Sequence, residues 1–541
     1  MKHIKKTGLI VFLVVGIGAS VAYRSDFFEI AKQLEIYTTL FKELNMYYID
    51  EINPARINQE GINNMLNSLD PYTRFYDEQG VENARINAGG QNASTGIIAK
   101  FKLSKLIITD IYKASPAAKA SLFIGDEILA INSIKINIEQ KEATLTQLKG
   151  LPDTKIVLRI KRQDKIFEKQ ISLSSFIENP VPIFKMLTKK TGYIALTKFN
   201  DKAFDEVESA FLDLKEKGMK SLILDLRNNP GGLLNQAVDI TGLFVPKGQI
   251  VVSTKAKVKK WSNIYRSLKE PLDLNIPLVI LVNGGSASAS EIVSGALQDL
   301  DRAVIIGSRS YGKGLVQRYI KLTYGTQLKL TISKYYTPSG RNIQELDYTN
   351  RIGDDIPKFS NKKRPQFKTA NNRVIYGGGG VTPDIIMVQK ELTETTKRLL
   401  ESDAVFNFAT QYHYNHQSID SVNKFLLKQG DFQNFINYTK SNNIFVSPTE
   451  KSFKESKNLA AKADIDIAKL YQKINDRIQS EQYDQIDQDK NKITELLALE
   501  IIRHYYFAEG KYRYKLQNDR TITKAISVLN NKSQYQAILH Q

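Results

Sequence analysis

Leu278-Val279-Ile280-Leu281-Val282-Asn283-Gly284-Gly285-Ser286-Ala287-Ser288-Ala289-Ser290-Glu291 is the stretch that decides how this chain folds. Five apolar residues in a row, closed by a glycine pair, read as a strand buried on both faces. From 289 to 300 the spacing turns helical, so a run of small residues carries the chain from strand to helix. Neighbouring segments follow the same logic. Residues 192–196 read as a strand, 204–217 as an amphipathic helix, and 221–226 and 303–306 as further strands. Strands alternating with helices predict an α/β sheet with helices packed on it.

Working outward, 343–373 is polar and rich in Asn, Lys and Pro, which reads as a long surface insertion. The run Gly377-Gly378-Gly379-Gly380-Val381-Thr382-Pro383-Asp384 then closes the core. Upstream, about 89–177 breaks into short β runs at 96–101, 105–111, 127–131 and 155–161, with a short helix begun by Pro116 between them. Before that, Ile30, Leu34, Tyr37, Phe41 and Leu44, then Ile62, Met65 and Leu69, recur at helical spacing, interrupted at Asn53-Pro54. Beyond about 390 the chain is polar and helix-patterned, with no internal repeat. The expected organisation is an α/β multidomain chain: an N-terminal segment at 1–22, a helical module at 23–85, a β domain at 86–178, the α/β core at 179–390 and a helical C-terminal domain at 391–541.

Composition supports several cores. The 541 residues are too many for one, and 42% hydrophobic with 25% charged content is ordinary for a globular protein. The net charge of +19 comes from lysines spread along the chain rather than from a basic block. It reads as a solvated surface, and no nucleic-acid module accompanies it, so no nucleic-acid partner is expected. With no cysteine, disulfides, thiolate catalysis and Cys-ligated metals are excluded. Lys2, Lys5 and Lys6 precede an apolar run at 9–22 that ends in Ser20-Val21-Ala22. A basic start, a short apolar stretch and small residues at the cleavage positions make a secretory signal. The run is short for a membrane span of ~20 residues, which leaves an uncleaved anchor as the alternative.

Histidine placement excludes one mechanism. None of His3, His413, His416, His504 and His540 lies between Thr191 and Asp384, so a Ser-His-Asp triad has no local base. The lysine motif Tyr311-Gly312-Lys313-Gly314-Leu315-Val316-Gln317 offers another. Its rival reading, a phosphate-binding loop, needs Ser or Thr after the lysine and a following helix. Gly314 and a β-rich stretch stand there instead.

To deprotonate a serine near neutral pH, Lys313 must lose its charge, and burial lowers a lysine pKa from ~10.4 by up to several units. Tyr311, Leu315 and Val316 supply apolar surroundings, and the neutral Gln317 can orient the amine without raising its pKa. A surface lysine in a glycine turn fits the motif alone equally well. Ser288, between Gly284-Gly285 and a helix start, has room for a substrate backbone and sits near amides that favour negative charge, with that of Ala289 the first candidate. The same residues also describe a plain helix start capped by Ser286 or Ser290. In Asp225-Leu226-Arg227-Asn228-Asn229-Pro230-Gly231-Gly232, glycines after a buried strand expose further amides.

Taken in this order, residues 226–232, 285–291, 312–317 and Tyr336-Thr337-Pro338-Ser339-Gly340-Arg341 resemble the carboxy-terminal processing peptidases, the tail-specific serine proteases of family S41. The resemblance covers roughly 27–385, including Ser68-Leu69-Asp70-Pro71-Tyr72. It implies Ser288 as nucleophile, Lys313 as general base and Gln317 as the residue orienting the lysine. The amides of Ala289 and of Gly231 or Gly232 would form the oxyanion hole. Asp299 matches an acidic position of the motif and reads as structural support. The segment 89–177 looks like a PDZ domain, with Thr95-Gly96-Ile97-Ile98 where its carboxylate-binding loop belongs. One departure is Lys149-Gly150, where many relatives carry Arg-Gly.

The resemblance implies an exported serine endopeptidase, in the periplasm or cell envelope, that captures protein C-termini and needs no cofactor or metal. An uncleaved N-terminus would tether it to the membrane. A non-catalytic PDZ peptide-binding scaffold is the rival from another class, and a basic binder of membranes or polyanions is the third reading.

Overall fold

A computed structural model describes residues 27–78, 80–81, 93–175, 179–348, 351, 356–358, 364–388, 391–442, 444 and 448–540. The apolar run at 9–22 lies outside these residues, as does part of the polar insertion. Among the described residues no helix is long and apolar enough to cross a membrane. The chain divides into two units that meet at Phe75 and Tyr76.

In the first unit, 27–47 is helical and a second helix spans Pro54–Asn67. The Asn53-Pro54 break is a helix start: Asn53 Oδ1 accepts the Arg56 N–H, and Pro54 takes the first turn, where a missing N–H costs nothing. Tyr37 donates to Asn58 Oδ1 at 2.6 Å and ties the two helices together.

The second unit is built on a six-stranded sheet in chain order: Ile183–Met186, Thr191–Ala195, Ser221–Asp225, Leu278–Val282, Val304–Gly307 and Ile385–Ile386. The first pair is antiparallel and the others parallel. Period-two alternation divides the strands between two cores. Leu222, Leu224, Leu278, Ile280 and Val282 face the helices Ala203–Glu216, Leu234–Gly242 and Ala289–Asp299. Ile223, Val279, Leu281, Val304 and Ile306 face the other way, onto Ile522, Ala525, Val528, Tyr535 and Leu539. The last two helices of the chain, Arg520–Asn530 and Lys532–Leu539, therefore cover the second face of this sheet. Tyr535 fixes them there: its hydroxyl accepts from Leu278 N at 3.0 Å and donates to Leu278 O at 3.2 Å.

Beside this sheet, the hairpin Leu315–Lys321 and Gln327–Tyr336 pairs with Ile250–Ala256. The β domain is an antiparallel sheet in the order Ile97–Lys102, Lys105–Ile111, Glu127–Ile131, Lys155–Arg162, Lys165–Ser172. Residues 391–518 contribute helices that form cores of their own and press Phe406 and Phe507 onto the β domain.

Candidate active site

The turn between Leu278–Val282 and the helix Ala289–Asp299 holds Ser288 at φ +55°, ψ −112°, a conformation an L residue avoids and that costs on the order of 1–3 kcal/mol. Polar bonds from the neighbouring turn enforce it. Ser286 Oγ donates to Leu226 O at 2.8 Å, and Asn283 Oδ1 accepts the N–H groups of Asn228 at 2.9 Å and Gly285 at 3.0 Å. Asn229 O receives Ala287 N–H at 3.0 Å and Ser290 Oγ at 2.8 Å. Ser286 and Ser290 thus bond to the 226–229 turn, and it is Ser288 that occupies the helix N-cap position. The Ala289 N–H, in the first turn, has no acceptor among the described residues.

The 226–232 turn lies directly against this serine. A Cβ on Gly231 would sit 2.8 Å from Ser288 Cβ and 2.9 Å from Ala289 N, and φ is +99°, so only glycine fits. The Gly231 N–H already donates to Asn229 Oδ1 at 2.9 Å. The Gly232 N–H has no acceptor among the described residues, which leaves it as the second donor candidate beside Ala289.

The backbone of the lysine loop is joined to the Ser288 turn through Glu291, a fully buried carboxylate. Its Oε2 accepts the main-chain N–H of Ser288 at 2.8 Å and of Lys313 at 3.0 Å. Two such bonds to one oxygen hold those nitrogens within about 6 Å of each other. Its Oε1 accepts Ser310 Oγ at 2.6 Å and Gly312 N–H at 2.7 Å. A second tether is Tyr335, whose hydroxyl donates to Lys313 O at 2.5 Å and lies 3.3 Å from Ser288 O. Burial pushes the Glu291 carboxyl up to about 7, against the opposing pull of Ser310 and the three amides. Both Ser288 and Lys313 are half-buried.

Gln317 lies on the strand leaving the lysine loop. Its Nε2 donates to Thr331 Oγ1 at 3.2 Å, its register partner across the hairpin. At the far end of the serine helix, Asp299 and Arg341 form a buried ion pair at 2.8 Å, and Asp299 Oδ2 also accepts Ser339 N–H at 2.9 Å. The 336–341 motif is therefore a fastener for that helix. Arg227 joins Asp225 at 2.5 Å and Asp519 at 2.7 Å, linking the glycine turn to the helix Arg520–Asn530 behind the sheet.

Thr95, Gly96, Ile97 and Ile98 lie at the start of the β domain's edge strand. Thr95 is buried and its N–H donates to Leu148 O at 3.1 Å. A Cβ on Gly96 would fall 2.0 Å from Ser115 Cβ. The Gly96 and Ile97 amides donate to the hydroxyls of Ser94 and Thr95, each at 3.2 Å, so a carboxylate would have to replace those acceptors. Lys149, in the Lys-Gly departure, sits below the usual lysine range, first through burial and then through the neighbouring Lys198 of the core.

Sequence reasoning missed the roles of Glu291 and Tyr335. Glu291 stands three residues after Ser288, the spacing of a capping box, and that signal was readable. Tyr335 lies 22 residues beyond Lys313 on another strand, and no local pattern points to it.

Comparison with known proteins gives the same arrangement of parts. Residues 190–357 match the model of peptidase family S41, 107–162 that of the PDZ domain, and 395–529 that of a probable PDZ-protease C-terminal helical domain. The chain is 35% identical over 332 residues to a carboxy-terminal-processing protease of Bartonella bacilliformis, covering 60% of this chain and 76% of that one. A probable CtpA-like serine protease of Staphylococcus aureus is 32% identical over 324 residues, 59% of this chain and 64% of the relative. Among solved structures, the photosystem II D1 C-terminal processing protease aligns with a TM-score of 0.38 at 23% identity, over 65% of this chain and 92% of that one.

Proposed function

Because the chain belongs to peptidase family S41, the carboxy-terminal processing proteases with a PDZ domain, we propose that it hydrolyses peptide bonds through Ser288 and Lys313. Neutral Lys313 takes the Ser288 hydroxyl proton as Oγ adds to the peptide carbonyl carbon. The carbonyl oxygen gains the negative charge and is held by the Ala289 and Gly232 amides. As the intermediate collapses, the C–N bond breaks and the Lys313 ammonium returns its proton to the departing amine. Water then gives a proton to the same lysine as it adds to the ester carbon, the Oγ–C bond breaks to free the acid, and the Lys313 ammonium returns that proton to Ser288 Oγ. Gln317 is the positioning residue for the amine. The substrates are proteins whose C-termini add to the edge strand Ile97–Lys102 beside the Thr95-Gly96-Ile97-Ile98 loop, the Gly96 and Ile97 amides exchanging the Ser94 and Thr95 hydroxyls for the carboxylate. The enzyme works outside the cytoplasm, released by signal cleavage or anchored by its N-terminal segment.

The observation that carries this reading is the single Glu291 oxygen shared by the Ser288 and Lys313 amides. It joins the serine turn and the lysine loop directly, with Tyr335 as a second tether between the same two segments. The test is digestion of denatured casein by the wild type and by Ser288→Ala. Cleavage by the wild type alone is expected. Intact casein in both reactions would favour a peptide-binding scaffold instead.

A further inference from the structure

A cavity of 570 Å³ lies between the outer face of the PDZ edge strand and the helical domain, and none of its lining residues belongs to the serine–lysine site. Along the strand Ile97–Lys102 the side chains alternate. Ile97, Ala99 and Phe101 pack on the PDZ core, whereas Ile98, Lys100 and Lys102 face the cavity. The opposite wall brings Arg503 from the helical stretch before the break at Phe507, and Lys511 and Lys515 from the helical stretch that follows it within Lys490–Asn518.

The charges in this cavity do not balance. Asp403 pairs with Lys102 at 2.8 Å, while Asp110 and Glu500 pair with Arg503 at 3.5 and 3.2 Å. Those are all the carboxylates of the lining, and Lys100, Lys511 and Lys515 keep no ion-pair partner among the described residues. Lys511 and Lys515 stand four apart on one helical face, so their ammonium groups share a side. Burial first, and a neighbouring cation second, holds each of them below the usual lysine range. Wall and charge together suit an anion.

We propose that this cavity selects acidic side chains at the second and fourth residues from the C-terminus of a captured substrate. The inference rests on the peptide-capture reading above and goes beyond it. The edge strand pairs on one side only, so a peptide added to its free side lies about 4.8 Å away and shares its alternation. A carboxylate seated at Thr95–Ile97 makes that peptide antiparallel to the strand. Its last residue then stands opposite Ile97 and faces the PDZ core. The second and fourth residues stand opposite Ile98 and Lys100 and face the cavity, toward Lys511 and Lys515.

The test uses the full chain carrying Ser288→Ala, so that bound peptides survive. Two fluorescein-labelled decapeptides with the same apolar last residue carry Asp or Asn at the second and fourth positions from the C-terminus. Fluorescence anisotropy is expected to show the Asp peptide binding roughly tenfold tighter, the scale of a charge-assisted contact. Lys511→Gln with Lys515→Gln should erase that advantage while the Asn peptide keeps its affinity. Lys100→Gln, on the exposed strand where folding is not at stake, should reduce it. Equal binding of both peptides, or an Asp advantage that survives all three changes, overturns the charge selection and leaves peptide capture standing. Failure of both peptides to bind overturns the capture reading and this inference with it.

Discussion

The serine helix Ala289–Asp299 buries a carboxylate near each end, and the two are balanced by different means. Asp299 faces a full opposite charge, Arg341, in a pair with almost no solvent contact. Glu291 faces four hydrogen-bond donors and no side-chain cation among them. The first arrangement fastens a helix to a loop. The second leaves a carboxylate whose proton affinity lies near neutrality, holding two segments of the candidate site on one group. A guanidinium serves for fastening. An array of main-chain amides serves for alignment, because it fixes the backbones of Ser288, Gly312 and Lys313 on one group.

The largest loss of stability is expected at the ion pair. Arg341→Met strands Asp299 in the interior and is expected to cost about 3–5 kcal/mol in urea unfolding. Adding Asp299→Leu should recover much of that loss, because the stranded charge goes with it. Glu291→Gln is the matching change at the other end. Glutamine offers one carbonyl oxygen and turns an NH2 group toward groups that already donate, so a loss of about 1–3 kcal/mol is expected. Activity should fall further than stability suggests, by roughly a hundredfold in kcat, since misplacing a reacting group by 1 Å has that effect.

The pH dependence sharpens the contrast. Glu291 has its folded pKa raised from 4.5 to about 7, so the native state holds more protons than the unfolded chain in that interval. Its contribution to stability is complete below pH 4.5 and declines as pH rises through about 7. At about 1.36 kcal/mol per unit, the decline is on the order of 3 kcal/mol. Urea midpoints measured across this range should fall more steeply for the wild type than for Glu291→Gln, and parallel profiles would remove Glu291 as the source. Tyr335→Phe has the smallest expected effect, about 1 kcal/mol in stability and a several-fold drop in kcat, from loss of one hydroxyl bridging two carbonyls.

The same contrast explains what the sequence made legible. The strand–turn–helix at 278–291 declares itself locally, through five apolar residues and a run of small ones. The fastener was half legible: Asp299 stood at an acidic motif position, but its partner Arg341 lies 42 positions on. Glu291 carried a capping-box spacing that was readable, yet its contacts to Ser310 and Gly312 arise only when the lysine loop folds over the serine helix. Least legible was the second face of the central sheet. Ile522, Ala525 and Val528 sit in a polar tail and look like part of a separate helical domain, although they pack on Ile223 and Val279, hundreds of residues upstream. An amphipathic helix announces that it has a buried face and says nothing about which surface will bury it.

The proposed chemistry requires an uncharged amine at Lys313. Cleavage of an unstructured, apolar-tailed protein should be compared for the wild type, Lys313→Ala and Lys313→Arg, each checked for unchanged circular dichroism. Arginine keeps the positive charge but cannot give up its proton near neutral pH, so both variants are expected to lose at least roughly a thousandfold in kcat. Turnover at the wild-type rate by Lys313→Arg would show that a fixed cation suffices, and turnover by Lys313→Ala would show that the lysine is not the base.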